Sequence, residues 1–234
     1  MNTDVNIRKK TAAAFFCAIL MSCCALPAIA KPAQFITALE QNQKQTIVLY
    51  GTSLTANSAW PEALTSTLKK KYGGRVKIIN AAKGGMDSRW GLANVGNRVI
   101  RKQPDAVFIE FTINDALRAS LLSVRESRSN LQTMVGLIRA ARPGCEIIVM
   151  IMNPPTGQPL AQRPRFQDYA AGYRQAANKN HWRLIDFSST WQQLIKRQPA
   201  QWNAYTPDGL HPNKQASREV ILPKLLKEIG VADG

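Results

Sequence analysis

Histidine and cysteine are the scarce residues of this 234-residue chain, which has two of the first and four of the second. Three of the cysteines, Cys17, Cys23 and Cys24, fall in the first thirty residues, so no disulfide can form within residues 31–234, where Cys145 stands alone. Cys145 opens the apolar run CEIIVMIM and reads as a small core residue at the start of a buried strand. Two distant histidines and one cysteine make no ligand set of metal-site spacing, and no metal is expected. Acidic residues are also few: 15 Asp and Glu against 31 Lys and Arg give a net charge of +16. The basic residues are scattered rather than gathered into blocks interleaved with aromatics, which argues against a nucleic-acid partner. Beyond residue 30 no run is long and apolar enough to span a membrane, and there is no internal repeat, low-complexity tract or linker.

The first thirty residues read as an export signal. Arg8, Lys9 and Lys10 precede the apolar stretch TAAAFFCAILMSCCALPAIA, and Ala28-Ile29-Ala30 has the small-x-small shape of a cleavage site. The alternative is Leu20-Met21-Ser22-Cys23, which resembles a lipobox and would leave a lipidated Cys23 at a new N-terminus. Removing residues 1–30 takes away three positive charges and one negative, leaving +14 on a single domain, 31–234, that is periplasmic or secreted. Such a surface suits an anionic polysaccharide or envelope surface.

Along that domain short apolar runs alternate with longer amphipathic ones: TIVLY then 60–72, VKIINA then 88–102, DAVFIEF then 124–142, EIIVMIM then about 165–180, and WRLIDF then 190–196, with a last helix over 214–229. Runs that are apolar throughout are what strands covered by helices on both faces require. The expected fold is therefore α/β, a flavodoxin-like three-layer α/β/α sandwich around a central five-stranded parallel sheet.

In such a sheet, ligands bind outside the carboxyl ends of the strands, so the loops there matter most. They read Gly51-Thr52-Ser53-Leu54-Thr55, Asn80-Ala81-Ala82-Lys83-Gly84-Gly85, Thr112-Ile113-Asn114-Asp115, and Asp208-Gly209-Leu210-His211-Pro212. Each has an ordinary reading alone: Ser53 as a helix cap, Asn114-Asp115 as a turn pair, Gly84-Gly85 as a tight turn. Together they offer what acyl transfer needs: a hydroxyl, free backbone donors, a side-chain amide, and a carboxylate three residues from an imidazole. His181, in NKNHWRLIDF before a strand at the opposite edge of the sheet, reads as a surface or boundary residue.

These four blocks, in this order and across most of residues 31–234, resemble the SGNH, or GDSL-type, hydrolase family. The resemblance implies esterase chemistry without a cofactor. Ser53 is then the nucleophile, His211 the base and Asp208 its acid, with Ser53, Gly85 and Asn114 forming the oxyanion hole. Thr52 departs from the pattern, which usually has aspartate there. If Ser53 faces the pocket, Thr52 should face back into the protein, and Thr52→Asp should stay active if the space behind can solvate or pair the new charge. Trp60, Trp90, Trp202 and Tyr205 are expected near the rim, as sugar-stacking or as half-buried packing residues. The reading is an exported serine esterase that removes small acyl groups, acetyl first, from an acylated carbohydrate or envelope polysaccharide. The alternatives are a polysaccharide O-acyltransferase using the same three residues and a non-catalytic polysaccharide-binding or assembly protein.

Overall fold

The computed structural model describes Met1 and residues 31–231. The expected export signal, including Cys23, lies outside the described residues apart from Met1. Five strands, β1 (Gln45–Gly51), β2 (Val76–Asn80), β3 (Ala106–Glu110), β4 (Glu146–Ile151) and β5 (Arg183–Asp186), form one parallel sheet in the order β2-β1-β3-β4-β5. β3 is buried at all five positions and β4 at all but its first, as the uninterrupted apolar runs require.

The order decides which face each helix covers. A right-handed crossover running from β1 to β2 leaves its helix on the opposite face from crossovers that run toward β5. Accordingly helices Ser88–Arg98, Val124–Ala141 and Phe166–Lys179 pack side by side, whereas Trp60–Tyr72 packs with Leu222–Ile229. Local chemistry marks their starts. Asp87 accepts from the N–H groups of Arg89 and Trp90, Ser123 accepts from that of Glu126, and Pro61 occupies the first turn of Trp60–Tyr72. Cys145 is buried at the foot of β4.

The expected last helix is broken into three pieces. Lys214–Ala216 is capped by Asn213, Ser217–Ile221 winds in wider π turns, and Leu222–Ile229 begins with a proline in its first turn. Three short helices, Gln34–Glu40, Gly157–Gln162 and Pro199–Tyr205, lie in stretches where no helix is expected from the pattern. Among the described residues no helix is long and apolar enough to cross a membrane, and no cluster of three His, Cys, Asp or Glu could hold a metal.

Candidate active site

β1 and β3 are neighbours from which the chain leaves toward opposite edges of the sheet, and this switch point opens a crevice at their carboxyl ends. Ser53 follows β1 and Asn114 follows β3. The Ser53 Oγ lies 2.9 Å from His211 Nε2, and His211 Nδ1 lies 2.6 Å from Asp208 Oδ2. The other Asp208 oxygen accepts from the backbone N–H groups of Leu210 at 2.9 Å and His211 at 2.7 Å. Burial would raise the Asp208 carboxyl, but the His211 N–H, the His211 ring and the Leu210 N–H outweigh it and hold the group below the usual carboxylate range. An ionised acid on Nδ1 fixes the tautomer that leaves Nε2 free to accept the Ser53 proton.

Two backbone donors and one amide complete the site. Among the described residues neither the Ser53 N–H nor the Gly85 N–H finds an acceptor. The buried Asn114 side chain gives one Nδ2 hydrogen to the Met86 carbonyl at 2.9 Å and has a second to offer. The structure thus brings Ser53, Gly85, Asn114, Asp208 and His211 to one end of the sheet.

The loop carrying the acid and base is held from outside. Gly209 adopts φ +72°, and a Cβ there would lie 2.8 Å from the Thr156 carbonyl oxygen, so only glycine fits without a shift. Thr156 N–H donates to Gly209 O and Asn153 Nδ2 donates to Leu210 O, which ties residues 209 and 210 to the segment after β4. The same segment sends the buried Arg163 to the Ile113 carbonyl, one residue before Asn114. Asp115, buried beside Asn114, accepts from the Ser88 N–H and the Ser127 hydroxyl and so steadies the chain just after Gly85.

Three of the four aromatics follow the packing reading and not the sugar-stacking one. Trp60 is fully buried beneath the Ser53 turn and donates to the Leu54 carbonyl. Trp202 is buried edge-on against Trp191 and donates to Thr156 Oγ1, and Tyr205 is buried with its hydroxyl between Gln201 and Glu219. Trp90 is half-buried, but its ring packs against Tyr50 and is flanked by Lys83 and Arg98. Side-chain burial of an aromatic near a loop is a packing outcome that sequence position does not reveal.

Thr52 does face inward and is fully buried, but the space behind it already holds the carboxyl of Glu110. An aspartate at 52 would meet that acid, and one of the two would have to hold a proton. Glu110, Asp115 and Arg163 escaped the reading of the sequence. The available signal was Glu110 itself, the one charge within the apolar run AVFIEF. Burial raises the Glu110 carboxyl from an ordinary 4.5 to about 7, against donation by Thr55 and Thr52. A folded value above the unfolded one adds stability at low pH that is lost as pH rises through about 7. The melting temperature of Glu110→Gln, relative to wild type, should therefore become more favourable from pH 5 to pH 8; a flat difference would show that this carboxyl does not titrate there.

Residues 48–218 match the GDSL-like lipase/acylhydrolase family. The chain belongs to that family. It is an acylhydrolase by class, acting on carboxylic esters. It is 27% identical over 203 residues to an arylesterase from Vibrio mimicus, covering 83% of this chain and 94% of that one. The fold matches a putative GDSL-like lipase from Parabacteroides merdae with TM-score 0.72 at 16% identity, over 81% of this chain and 97% of that one. It also matches a catalytic mutant of an acetylxylan esterase from Geobacillus stearothermophilus with TM-score 0.69 at 20% identity, over 81% and 96%.

A cleft of about 770 Å³ lies at the end of the sheet away from Ser53. Lys31, Arg139, Cys145, His181 and Arg183 line it at the amino ends of β4 and β5, so size alone does not mark the site.

Proposed function

We propose that this acylhydrolase is an exported serine esterase that releases small acyl groups, acetyl first, from a carbohydrate or envelope polysaccharide. The observation that carries the reading is the unbroken chain from Ser53 Oγ through His211 to Asp208, beside two backbone N–H groups that find no acceptor among the described residues. His211 Nε2 takes the Ser53 proton as Oγ bonds to the ester carbonyl carbon, and the carbonyl oxygen becomes an anion facing the N–H groups of Ser53 and Gly85 and the Asn114 amide. Collapse of that intermediate breaks the bond to the alcohol, which leaves with the proton from His211, and Ser53 carries the acyl group. Water then repeats the attack and restores the serine. His211 has to be neutral to act as base.

Trp60, Trp202 and Tyr205 are buried and offer no stacking platform for a sugar. What favours a carbohydrate ester is the basic surface, the export signal in the sequence and the likeness in fold to an acetylxylan esterase. A serine-directed fluorophosphonate should label the wild type and not Ser53→Ala; a wild type that binds glycan without labelling is a binding protein. With p-nitrophenyl acetate, butyrate and palmitate the rate should fall as the chain lengthens, and a preference for palmitate would sink the short-acyl reading. Acetylated polysaccharide should yield free acetate; transfer to a sugar hydroxyl would make the protein an acyltransferase. Mass spectrometry of the mature N-terminus should find Lys31.

A further inference from the structure

Glu110 ends β3 and stands in register with Gly51, the last residue of β1. A Cβ on Gly51 would lie 2.4 Å from Glu110 Oε1, so the carboxyl occupies the space directly behind the strand end from which the Ser53 turn departs. Three donors converge on it. The Thr52 N–H donates to Oε1 at 2.7 Å, the Thr55 hydroxyl to the same oxygen at 2.7 Å, and the Thr52 hydroxyl lies 3.0 and 3.1 Å from the two oxygens. The Thr52 hydroxyl also accepts from the Leu54 N–H, which joins both sides of the turn. Among the described residues no cation pairs with Glu110; the titratable groups facing it are Asp115 and the Tyr173 phenol.

A leucine at 110 would occupy similar volume without taking a carboxyl out of water, so packing alone does not account for the acid. The turn has a particular need. A single helical turn, Ser53–Ala56, cannot hold itself, and the Ser53 N–H has to remain unpaired if it is to meet an oxyanion. Trp60 holds the Leu54 carbonyl and Asn80 the Thr55 carbonyl, but the bonds made by the Thr52 N–H and by the Thr52 and Thr55 hydroxyls all end on Glu110.

We propose that Glu110 is a positioning residue for the nucleophile: its carboxyl holds the Thr52–Thr55 turn so that Ser53 presents its hydroxyl to His211 and its N–H to the oxyanion. This rests on the reading of Ser53 as the nucleophile. Misplacing a reacting group by about 1 Å can cost about 10²-fold in rate. Glu110→Leu removes the acceptors, whereas Glu110→Gln keeps an amide oxygen for the Thr52 N–H and the Thr55 hydroxyl.

The test measures kcat and KM on p-nitrophenyl acetate, the rate of fluorophosphonate inactivation and the melting temperature, for wild type, Glu110→Leu, Glu110→Gln and Ser53→Ala. Glu110→Leu is expected to lose about 30- to 100-fold in kcat and in inactivation rate, with KM within about threefold, and Glu110→Gln to recover to within about fivefold of wild type. A folded Glu110→Leu with kcat within about threefold of wild type, or an equal loss in both Glu110 variants, overturns the proposal. Where Glu110→Leu does not fold, Thr55→Val removes one donor and should lower kcat about five- to tenfold at constant KM; an unchanged kcat overturns the proposal. Wild type that resists labelling would overturn the esterase reading and this one with it. Labelling lost only in Ser53→Ala, and unchanged in both Glu110 variants, would overturn this one alone.

Discussion

Asp208→Asn is expected to lower kcat by about 10⁴-fold while the protein stays folded. The amide of asparagine can still occupy the space 2.6 Å from His211 Nδ1, but it no longer demands that Nδ1 carry the proton. The imidazole then adopts the tautomer with its hydrogen on Nε2, which faces Ser53 Oγ with a donor where an acceptor is needed. The ionised acid also stabilises the imidazolium formed during attack, and a neutral amide does not. Asp208 and His211 are each about half exposed, so their pairing is screened by water and the change costs little stability. Thr52→Ala makes the opposite pattern. Its hydroxyl contacts Glu110 and the Leu54 N–H and not the reacting atoms, so kcat should stay within about fivefold while stability falls by about 1 to 2 kcal/mol. Steady-state kinetics beside melting curves separate the two. If Thr52→Ala were folded and as inactive as Asp208→Asn, Thr52 would be a participant in the chemistry.

Asn114→Ala is expected to lower kcat by about 10² to 10³, equivalent to about 3 to 4 kcal/mol of lost oxyanion stabilisation. The magnitude follows from where the amide sits. Asn114 is 8% exposed, and one of its amide hydrogens is fixed on the Met86 carbonyl, which orients the other without any reorganisation at the moment of reaction. A donor oriented in advance stabilises a developing charge more than one that must first turn toward it. KM on p-nitrophenyl acetate should change much less than kcat, because the neutral ester carbonyl has little charge to bind. Equal changes in KM and kcat/KM with an unaltered kcat would show that Asn114 binds substrate and does not stabilise the transition state.

The strands were legible because a sheet covered on both faces needs runs that are apolar throughout. TIVLY, VKIINA, DAVFIEF, EIIVMIM and WRLIDF all became strands of one parallel sheet. Helix Trp60–Tyr72 was legible to the residue through its periodicity and its proline in the first turn. The helices Gln34–Glu40, Gly157–Gln162 and Pro199–Tyr205 were not, since six or seven residues span too few turns to show a period, and packing rather than propensity keeps them helical.

The site divides along the same line. Ser53, Gly85 and Asn114 could be picked out because they follow legible strand ends, Asp208 and His211, which follow helix Pro199–Tyr205, because they stand three residues apart, and all five because their blocks resemble those of a known family. The strand order β2-β1-β3-β4-β5 is the one the flavodoxin-like expectation carries, but the residue-by-residue register is not written in the sequence, and it is the register that sets Gly51 beside Glu110 and thereby puts a carboxyl from position 110 behind a serine at position 53. Arg163 reaching Ile113 and Asn153 reaching Leu210 are likewise bonds across 50 and 57 residues. The burial of Trp60, Trp202 and Tyr205 as packing residues has the same origin. Local sequence determines which backbone conformations and which buried faces are favourable, whereas the partner of a buried polar group, and the side of a loop on which a ring comes to rest, depend on which distant strand lies alongside.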